Sequence, residues 1–376
     1  MRRCNPEATV RDLIKTNLAL LLVGVTSFVL MGAGQSLYGP ALPAFSRAFD
    51  ISLGTAGLLV SAHWVGCALG VAAMFIWGRM ITPRVVVVAM TLGAALIATR
   101  LGWGVTLVGA IVFGAGYGGA TVVFNPRVLR AFGVRGPAML SLLNATFGIG
   151  AIGAPLVFVA LGNNPALTFS VFAVFGAIIV AAAGAVGKAE TSSNSTSTLP
   201  FRPHWPILSF GMVAISIEAC LIGLGPSALI KAGETEVEAA QLLSAFFIAF
   251  LVARVMLIFV AHRIASFTLY TLAVIGACLS ALSAAMWLPG PSFIAMGIFA
   301  GLFFPSEYVT AARKMGDDPR VAPTIIAAGL VGGIFAPLVL APLLEIMDER
   351  GFFWAIAAIT GALGLAALAS LRSMNR

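Results

Sequence analysis

The sequence predicts an all-α membrane protein with twelve transmembrane helices arranged as two pseudo-symmetric lobes of six helices. Composition is the first observation: of 376 residues, 60% are hydrophobic and 10% charged, and the mean hydropathy is +1.03. Roughly a quarter of the residues in soluble domains are charged. Lipid offers no hydrogen-bonding partner to the backbone, so apolar runs of about 20 residues must be helical.

The second observation is the number of apolar runs between charged or Pro/Gly-rich breaks. The predicted spans begin near Asn17, Thr55, Val85, Gly104, Met139 and Thr168, and then near Pro206, Val237, Phe267, Ser292, Pro323 and Phe352. A polar stretch rich in Ser and Thr separates the two sets and is typical of a flexible linker. The predicted organisation is a cytoplasmic N-terminal segment 1–16, a first lobe 17–186, a linker 187–204, a second lobe 205–371 and a cytoplasmic tail 372–376.

The third observation is an internal repeat. The segment GIGAIGAPLV (148–157) matches LVGGIFAPLV (330–339) at an offset of 182, and LVSAHW (59–64) matches LLSAFF (242–247) at an offset of 183. Parallel repeats of six spans are typical of two-lobed secondary transporters, which bind their substrate near the middle of the membrane. Pro155 and Pro337 lie in the matching segments and are candidate gating residues, because proline weakens a helix; close helix packing is the alternative interpretation.

The distribution of basic residues predicts the orientation. Most of the 22 Lys and Arg residues fall in the loops that share a side with the N-terminus, and such residues resist translocation. We therefore expect both termini to be cytoplasmic, in a bacterial-type inner membrane. This signal, together with attraction to anionic lipid, accounts for the net charge of +8, so nucleic acid is not predicted as a partner.

Two acidic residues fall well inside predicted spans, Glu218 in the seventh and Glu307 in the tenth. An ionisable group in the bilayer core usually faces a cavity and has a function. Both are candidate proton-coupling residues, and Glu218 is also a candidate substrate ligand. The alternative for Glu218 is a protonated acid that bonds a neighbouring helix. Glu307, six residues before Arg313, could instead form a gate ion pair, reach the membrane surface or act as a substrate ligand.

Further candidate substrate-binding residues are polar or aromatic side chains within spans. Arg254 could neutralise an acid or contact an anionic substrate, and the alternative is a structural pairing. His63 could titrate beside Trp64, or it could be a core histidine. The uncharged candidates, for which bonding between helices is the ordinary explanation, are Gln35, Tyr38, Asn125 and Asn144.

Cofactor chemistry is not predicted. The four cysteines form no CxxC pair, so neither a disulfide nor a zinc site is expected. The glycines of FGAGYGGATVVFN (113–125) follow no strand and precede no lysine in the position that a nucleotide loop requires. No nucleophile, base and orienting group cluster as an enzyme would need. The expected partners are a small-molecule substrate, protons and membrane lipid, and the expected state is a monomer.

Several stretches resemble the major facilitator superfamily, and the resemblance covers nearly the whole chain. LYGPALPAFSRAFDISLGTAGLLVSAHWVGCALG (37–70) resembles its first two spans. NATFGIGAIGAP (144–155) is similar to the fifth span of the fucose/galactose-proton symporter branch and to a fragment of the drug-antiporter pattern. The stretch LIGLGPSALIKAGETEVEAAQLLSAFFIAFLVAR (221–254), which follows Glu218, resembles the same symporter branch.

Two departures from the family pattern affect what the resemblance implies. The family loop GxxxDRxGRR, an inner gate, is reduced here to GRMITPR (78–84), which has no acid. Arg79 and Arg84 are gating candidates, and one interpretation is that they pair with groups outside this loop. The first span also lacks the acidic residue of the symporter branch.

The sequence therefore predicts a secondary active transporter that moves a small polar or amphipathic organic solute, with proton-coupled uptake as the first hypothesis. One alternative is a proton-coupled exporter of drugs, siderophores or metabolites. The other is a membrane receptor or assembly partner without transport activity.

Overall fold

The computed structural model describes residues 16–78, 80–184, 186, 201–260, 263–316 and 320–376. These residues form twelve α-helices joined mostly by short turns. The helices of the first half are α1 (Leu18–Phe49), α2 (Leu53–Trp77), α3 (Pro83–Ala98), α4 (Trp103–Phe132), α5 (Gly136–Ala160) and α6 (Pro165–Ala183). Those of the second half are α7 (Trp205–Lys231), α8 (Glu236–Val260), α9 (Ser266–Met286), α10 (Pro289–Met315), α11 (Val321–Ile346) and α12 (Gly351–Asn375).

The predicted fold class is confirmed, since each predicted span has its helix. In the part of the chain that the structure describes, eleven helices are long and apolar enough to cross a membrane. The exception is α3, whose 16 residues begin at Pro83 after the capping residue Thr82, and which ends where Arg100 turns the chain. Residues 1–15 of the predicted N-terminal segment and residues 187–200 of the predicted linker lie outside the described residues.

Helix starts follow local chemistry. The side chains of Ser52, Thr82 and Asn164 accept a hydrogen bond from the backbone N–H three residues later, which satisfies a donor that the first turn leaves free. Proline occupies the first turn of α3 and α6, where its missing N–H costs nothing. These signals fix the short turns and therefore the antiparallel order of successive helices.

The two halves pack in the same way. In the first half α1 packs on α5, α2 on α4, and α3 on both α4 and α6; in the second half α7 packs on α11, α8 on α10, and α9 on both α10 and α12. Each pair therefore recurs six helices later. The halves meet where α2 contacts α11, α5 contacts α8, and α1 contacts α7. The structure thus consists of two similar six-helix bundles, here called the N-terminal and C-terminal lobes.

Close contacts between glycines and backbone carbonyls, here called the glycine seams, occur in both lobes at positions 183 residues apart, the offset of the second sequence match. In each lobe two glycines of one helix lie directly on two carbonyl oxygens of another, so that an added Cβ would be 2.1 to 2.6 Å from the oxygen. The contacts are Gly114 on His63 and Gly118 on Cys67 between α4 and α2, and Gly297 on Phe246 and Gly301 on Phe250 between α10 and α8. All four residue pairs of this comparison are 183 positions apart, and only glycine permits so close a backbone approach.

The bundle has two ends. The terminal end carries the described chain termini, and the distal end carries the turns α1–α2, α3–α4, α5–α6, α7–α8, α9–α10 and α11–α12. At the distal side every residue of α1 from Leu30 to Leu42 and of α7 from Ala219 to Leu229 is buried. An added Cβ on Gly39 would lie 2.4 Å from the carbonyl oxygen of Ile222. The lobes therefore touch, backbone to backbone, in the distal half.

Polar contacts join elements at the distal end. Arg47 at the end of α1 forms an ion pair with Glu236 at the start of α8, and this is the one ion pair among the described residues. The Gly54 backbone N–H of α2 donates to Glu345 of α11. Within the C-terminal lobe, Lys231 Nζ donates to the carbonyls of Leu344, Glu345 and Met347 at the end of α11. The first two contacts cross between lobes, so the distal end is closed.

Candidate functional site

Seven polar and aromatic side chains gather in the middle of the bundle, where the lobes face each other. We call them the central cluster: Gln35, His63, Trp64, Tyr117 and Phe147 from the N-terminal lobe, and Glu218 and Arg254 from the C-terminal lobe. They come from α1, α2, α4, α5, α7 and α8. Five of the seven were expected from the sequence.

Tyr117 is the centre of the N-terminal part of the cluster. Its hydroxyl donates a 2.8 Å hydrogen bond to Oε1 of Gln35, and its ring contacts those of His63, Trp64 and Phe147 at centroid distances of 5.1, 6.5 and 6.3 Å. Sequence reasoning considered only the glycines around Tyr117 and missed it. A signal was present, because the chain has only four tyrosines and this one lies within a span.

His63 and Tyr38 lie behind Tyr117, inside the N-terminal lobe. Each is 1% exposed, and their rings are 5.1 Å apart. His63 Nε2 is 3.5 Å from Cys67 Sγ, whereas Nδ1 of His63 and the Tyr38 hydroxyl have no hydrogen-bonding partner among the described residues. Tyr38 thus packs behind the cluster, and neither Tyr38 nor His63 has more than 1% of its surface exposed.

Trp64 closes the cluster against the other lobe. Its side chain is half-buried, and its indole lies 3.0 Å from the position that a Cβ on Gly333 of α11 would take. A larger residue at position 333 would displace the indole. The α2–α11 contact therefore places this aromatic face at the boundary between the lobes.

Glu218 lies at the middle of α7 with its side chain half-buried, whereas its neighbours Ile217 and Ala219 are buried. The oxygen Oε2 is buried and has no hydrogen-bonding partner among the described residues. The Arg254 guanidinium is in electrostatic range, but the two groups form no ion pair. The carboxyl group is thus neither neutralised by contact nor fully enclosed.

Arg254 reaches towards the N-terminal lobe from α8. Its Nε donates to the carbonyl of Gly301 at 3.2 Å, and its guanidinium carbon lies 4.3 Å from the centre of the Phe250 ring. Glu218 and Tyr117 are the groups in its electrostatic range. Since Tyr117 belongs to the opposite lobe, the charge lies at the lobe interface.

A family model described as Major Facilitator Superfamily matches residues 24–328. The chain belongs to the major facilitator superfamily. It is therefore a multi-pass membrane protein with a transporter fold, and not an enzyme. The resemblance predicted from the sequence is confirmed.

Solved transporter structures share this fold. A variant of the nucleoside transporter NupG superposes with a TM-score of 0.76 at 15% identity, covering 94% of this chain and 99% of that one. A D-xylose-proton symporter gives 0.71 at 15% identity, covering 93% and 96%. A variant of the Escherichia coli fucose-proton symporter FucP gives 0.62 at 16% identity, covering 92% and 97%. No curated protein sequence matches the chain significantly. At these identities the likeness shows the fold alone.

Glu307 of α10 lies outside the central cluster, within the C-terminal lobe. It is 2% exposed, its carboxyl group rests on Gly211 of α7, and Oε1 has no hydrogen-bonding partner among the described residues. Arg313 donates instead to the carbonyl of Met374. Glu307 therefore does not reach the membrane surface and forms no ion pair with another described residue, because the carboxyl group is enclosed between α7 and α10.

The remaining candidates lie apart from the cluster. Asn125 is half-buried in the terminal half of α4, with Oδ1 lacking a described partner. Asn144 is exposed and donates to the Leu140 carbonyl of its own helix at 2.8 Å.

Of the four gating candidates, Arg84 is exposed at the start of α3, and Arg79 lies outside the described residues. Pro155 and Pro337 are buried within α5 and α11, helices that line the lobe interface. Distal side chains that the sequence did not mark as gating candidates also join the lobes: Arg47 pairs with Glu236, and Glu345 accepts from the Gly54 backbone N–H.

Proposed function

We propose that this protein is a proton-coupled secondary active transporter that takes up a small polar or amphipathic organic solute by alternating access across a bacterial-type inner membrane. The family and its two-lobed fold support transport. The proposed coupling depends on one observation: Glu218 is a half-buried carboxyl group in the middle of a span, between the lobes, with an oxygen that no described residue bonds.

An ionised carboxyl group in an apolar environment is costly unless it is paired and hydrogen-bonded. Glu218 has a cation in range but no direct contact, so its charge depends on what occupies the space beside it. A substrate or a proton can therefore change the balance. This position is suited to a group that binds a proton on one side of the membrane and releases it on the other.

Alternating access requires the lobes to separate at one end at a time. The distal contacts of α1 with α7 and of α2 with α11 close one end. With both termini in the cytoplasm, as the basic residues predict, this closed end is the outer one. Pro155 and Pro337 then allow α5 and α11 to bend, and Arg79 and Arg84 act at the inner end. We propose that the transporter works as a monomer surrounded by lipid.

Glu307 is proposed as a second protonatable group, subordinate to Glu218. Its carboxyl group contacts Gly211 rather than the central cluster. A proton held there would change the packing of α7 on α10, and α7 also carries Glu218.

The proposal is tested in proteoliposomes with an inward-directed proton gradient, using a solute selected by a thermal-shift screen of sugars, organic acids, amino acids and siderophores. The Glu218→Gln variant should lose uphill accumulation but retain exchange of labelled for unlabelled solute, because the amide keeps the shape and cannot bind the coupled proton. The matched control is Glu349→Gln, which changes an exposed acid in the α11–α12 turn.

Uphill accumulation by Glu218→Gln would refute the coupling role. Accumulation by the wild type only when the proton gradient is directed outward would favour the exporter, because a proton-coupled exporter exchanges protons for solute. A wild-type protein that binds a solute and moves none would favour the receptor.

A further inference from the structure

The Arg254 guanidinium is held in place by two contacts that leave its terminal nitrogens available. Nε donates to the Gly301 carbonyl, and the Phe250 ring covers one face at 4.3 Å. The Gly301 carbonyl itself is part of the seam, since that glycine lies against the Phe250 backbone. The carbonyl group that holds Arg254 is therefore itself fixed by close packing of the α10 backbone on the α8 backbone. Because the Arg254 side chain is already held in place, it loses little further conformational freedom on binding a ligand.

The terminal nitrogens of this guanidinium are available to a planar anion. In the described part of the chain, its terminal nitrogens make no hydrogen bond and no ion pair, although the side chain is half-buried. A guanidinium presents parallel N–H groups that match a carboxylate in two-point geometry. An arginine whose role was purely structural would have these donors satisfied by protein.

The local charge favours a ligand with a single negative charge. Arg254 is the one cation of the central cluster, and Glu218 is the one acid in its range. With Glu218 protonated, the cluster has one positive charge to neutralise, which a monocarboxylate does. A phosphate monoester, with nearly two negative charges at pH 7, would leave a buried excess charge.

Aromatic side chains define the rest of the ligand. Trp64 and Tyr117 are half-buried and in ring contact with each other, Phe147 packs on Tyr117, and Tyr117 is in electrostatic range of Arg254. Such faces favour apolar or flat molecules, whereas a sugar requires several hydrogen-bonding groups. In the cluster, Gln35 Oε1 already accepts the Tyr117 hydroxyl, so few polar groups remain to bond a sugar.

We infer that the substrate is a small monocarboxylate with an apolar or aromatic body, its carboxylate bound by Arg254 and its body lying against Trp64 and Tyr117. This inference rests on the proposed transport function and names the substrate class of the same site. Ionised Glu218 competes with the ligand for the charge of Arg254, so proton binding to Glu218 and anion binding to Arg254 favour each other.

The inference is tested by thermal unfolding of the purified full-length protein with matched probe pairs. Benzoate and hexanoate should each raise the unfolding temperature, whereas benzamide, hexanamide, D-xylose and uridine should not; phenyl phosphate should act more weakly than benzoate. A ligand of the native state stabilises by mass action. This comparison needs no variant, so it stands even where a substitution impairs folding.

Variants then locate the binding site. Arg254→Gln should weaken benzoate binding about 10- to 100-fold, the range expected for loss of charge-assisted hydrogen bonds. Arg254→Lys should also weaken it, because an ammonium keeps the charge without the fork. Arg372→Gln, the same change on the exposed end of α12, should bind benzoate as the wild type does.

Three outcomes of the thermal-unfolding comparison would overturn the inference. These are stabilisation by the amides or neutral solutes that equals that by the acids, greater stabilisation by phenyl phosphate than by benzoate, and no stabilisation by either acid. Undiminished benzoate binding by Arg254→Gln would also overturn it. Failure of the proposed function gives a different result, since acid-selective stabilisation would then persist while Glu218→Gln still accumulates solute uphill.

Discussion

A single methyl group at Gly39 should prevent full closure of the distal end. Gly39 of α1 faces the Ile222 carbonyl of α7, and a Cβ there would lie 2.4 Å from the oxygen and 3.1 Å from Pro226 Cγ. Ordinary contact distances are about 3.5 to 4.0 Å. Gly39→Ala therefore requires the two lobes to separate by roughly 1 Å at this point.

The expected change in the population of open molecules follows from the fact that the added methyl group overlaps α7 only in the closed state. Overpacking a tight site by one methyl group typically costs about 1–3 kcal/mol. The cost falls on the closed state alone, because α1 and α7 are apart when the distal end opens. The ratio of open to closed molecules should then rise about 5- to 150-fold.

The population change can be measured as the labelling rate of a cysteine at position 60. Val60 of α2 is buried and packs on Gly223 of α7, so a cysteine there is protected while the distal end is closed. In a background without the four native cysteines, an impermeant maleimide added to intact cells should label Val60→Cys faster when Gly39→Ala is present.

A matched glycine serves as the control. Gly104 at the start of α4 has open space where a Cβ would be added, so Gly104→Ala should leave the labelling rate unchanged. If Gly39→Ala folds normally and labels Val60→Cys no faster than Gly104→Ala does, the distal contact does not hold the lobes closed, and the reasoning fails.

Three further predictions concern polar contacts. Arg47→Ala should raise the same labelling rate less than fivefold, because Arg47 is 61% exposed and an exposed ion pair contributes about 0–1 kcal/mol; a larger change would contradict this estimate. Lys231→Met should lower the unfolding temperature, because three carbonyls at the end of α11 lose their donor, at a cost of about 1–3 kcal/mol; an unchanged unfolding temperature would contradict it. Tyr117→Phe should cost about 0.5–1.5 kcal/mol in thermal unfolding through loss of the bond to Gln35, whereas Gln35→Glu should retain an acceptor for that hydroxyl; equal unfolding temperatures for Tyr117→Phe and the wild type would refute the role of this bond.

The helices and their duplication could be predicted from the sequence because both depend on local properties. Apolar runs of span length leave no alternative to helix, and the offset of 183 between matching segments recurs in the structure between α2, which starts at Leu53, and α8, which starts at Glu236. Glu218 and Arg254 stood out for an equally local reason, since each is a charge within an apolar run.

The remainder of the site depends on which face each helix turns to its neighbours. These helices are apolar on most faces, so a hydrophobic pattern does not fix their rotation as it does for a surface helix. The sequence therefore does not distinguish Asn144, which bonds its own helix, from Gln35, which bonds Tyr117. Tyr117 carries no charge to mark it, and the Arg47–Glu236 pair joins residues 189 positions apart, which composition and spacing do not reveal.

The glycine seams have a consequence for how force passes through the molecule. Where Gly114 and Gly118, or Gly297 and Gly301, lie on carbonyl oxygens, there is no side chain that can change rotamer and absorb a displacement. A push on α10 is therefore passed directly to α8, and one on α4 to α2. Since α2 and α8 each contact the opposite lobe, a displacement of a helix inside one lobe is transmitted to the interface with the other lobe.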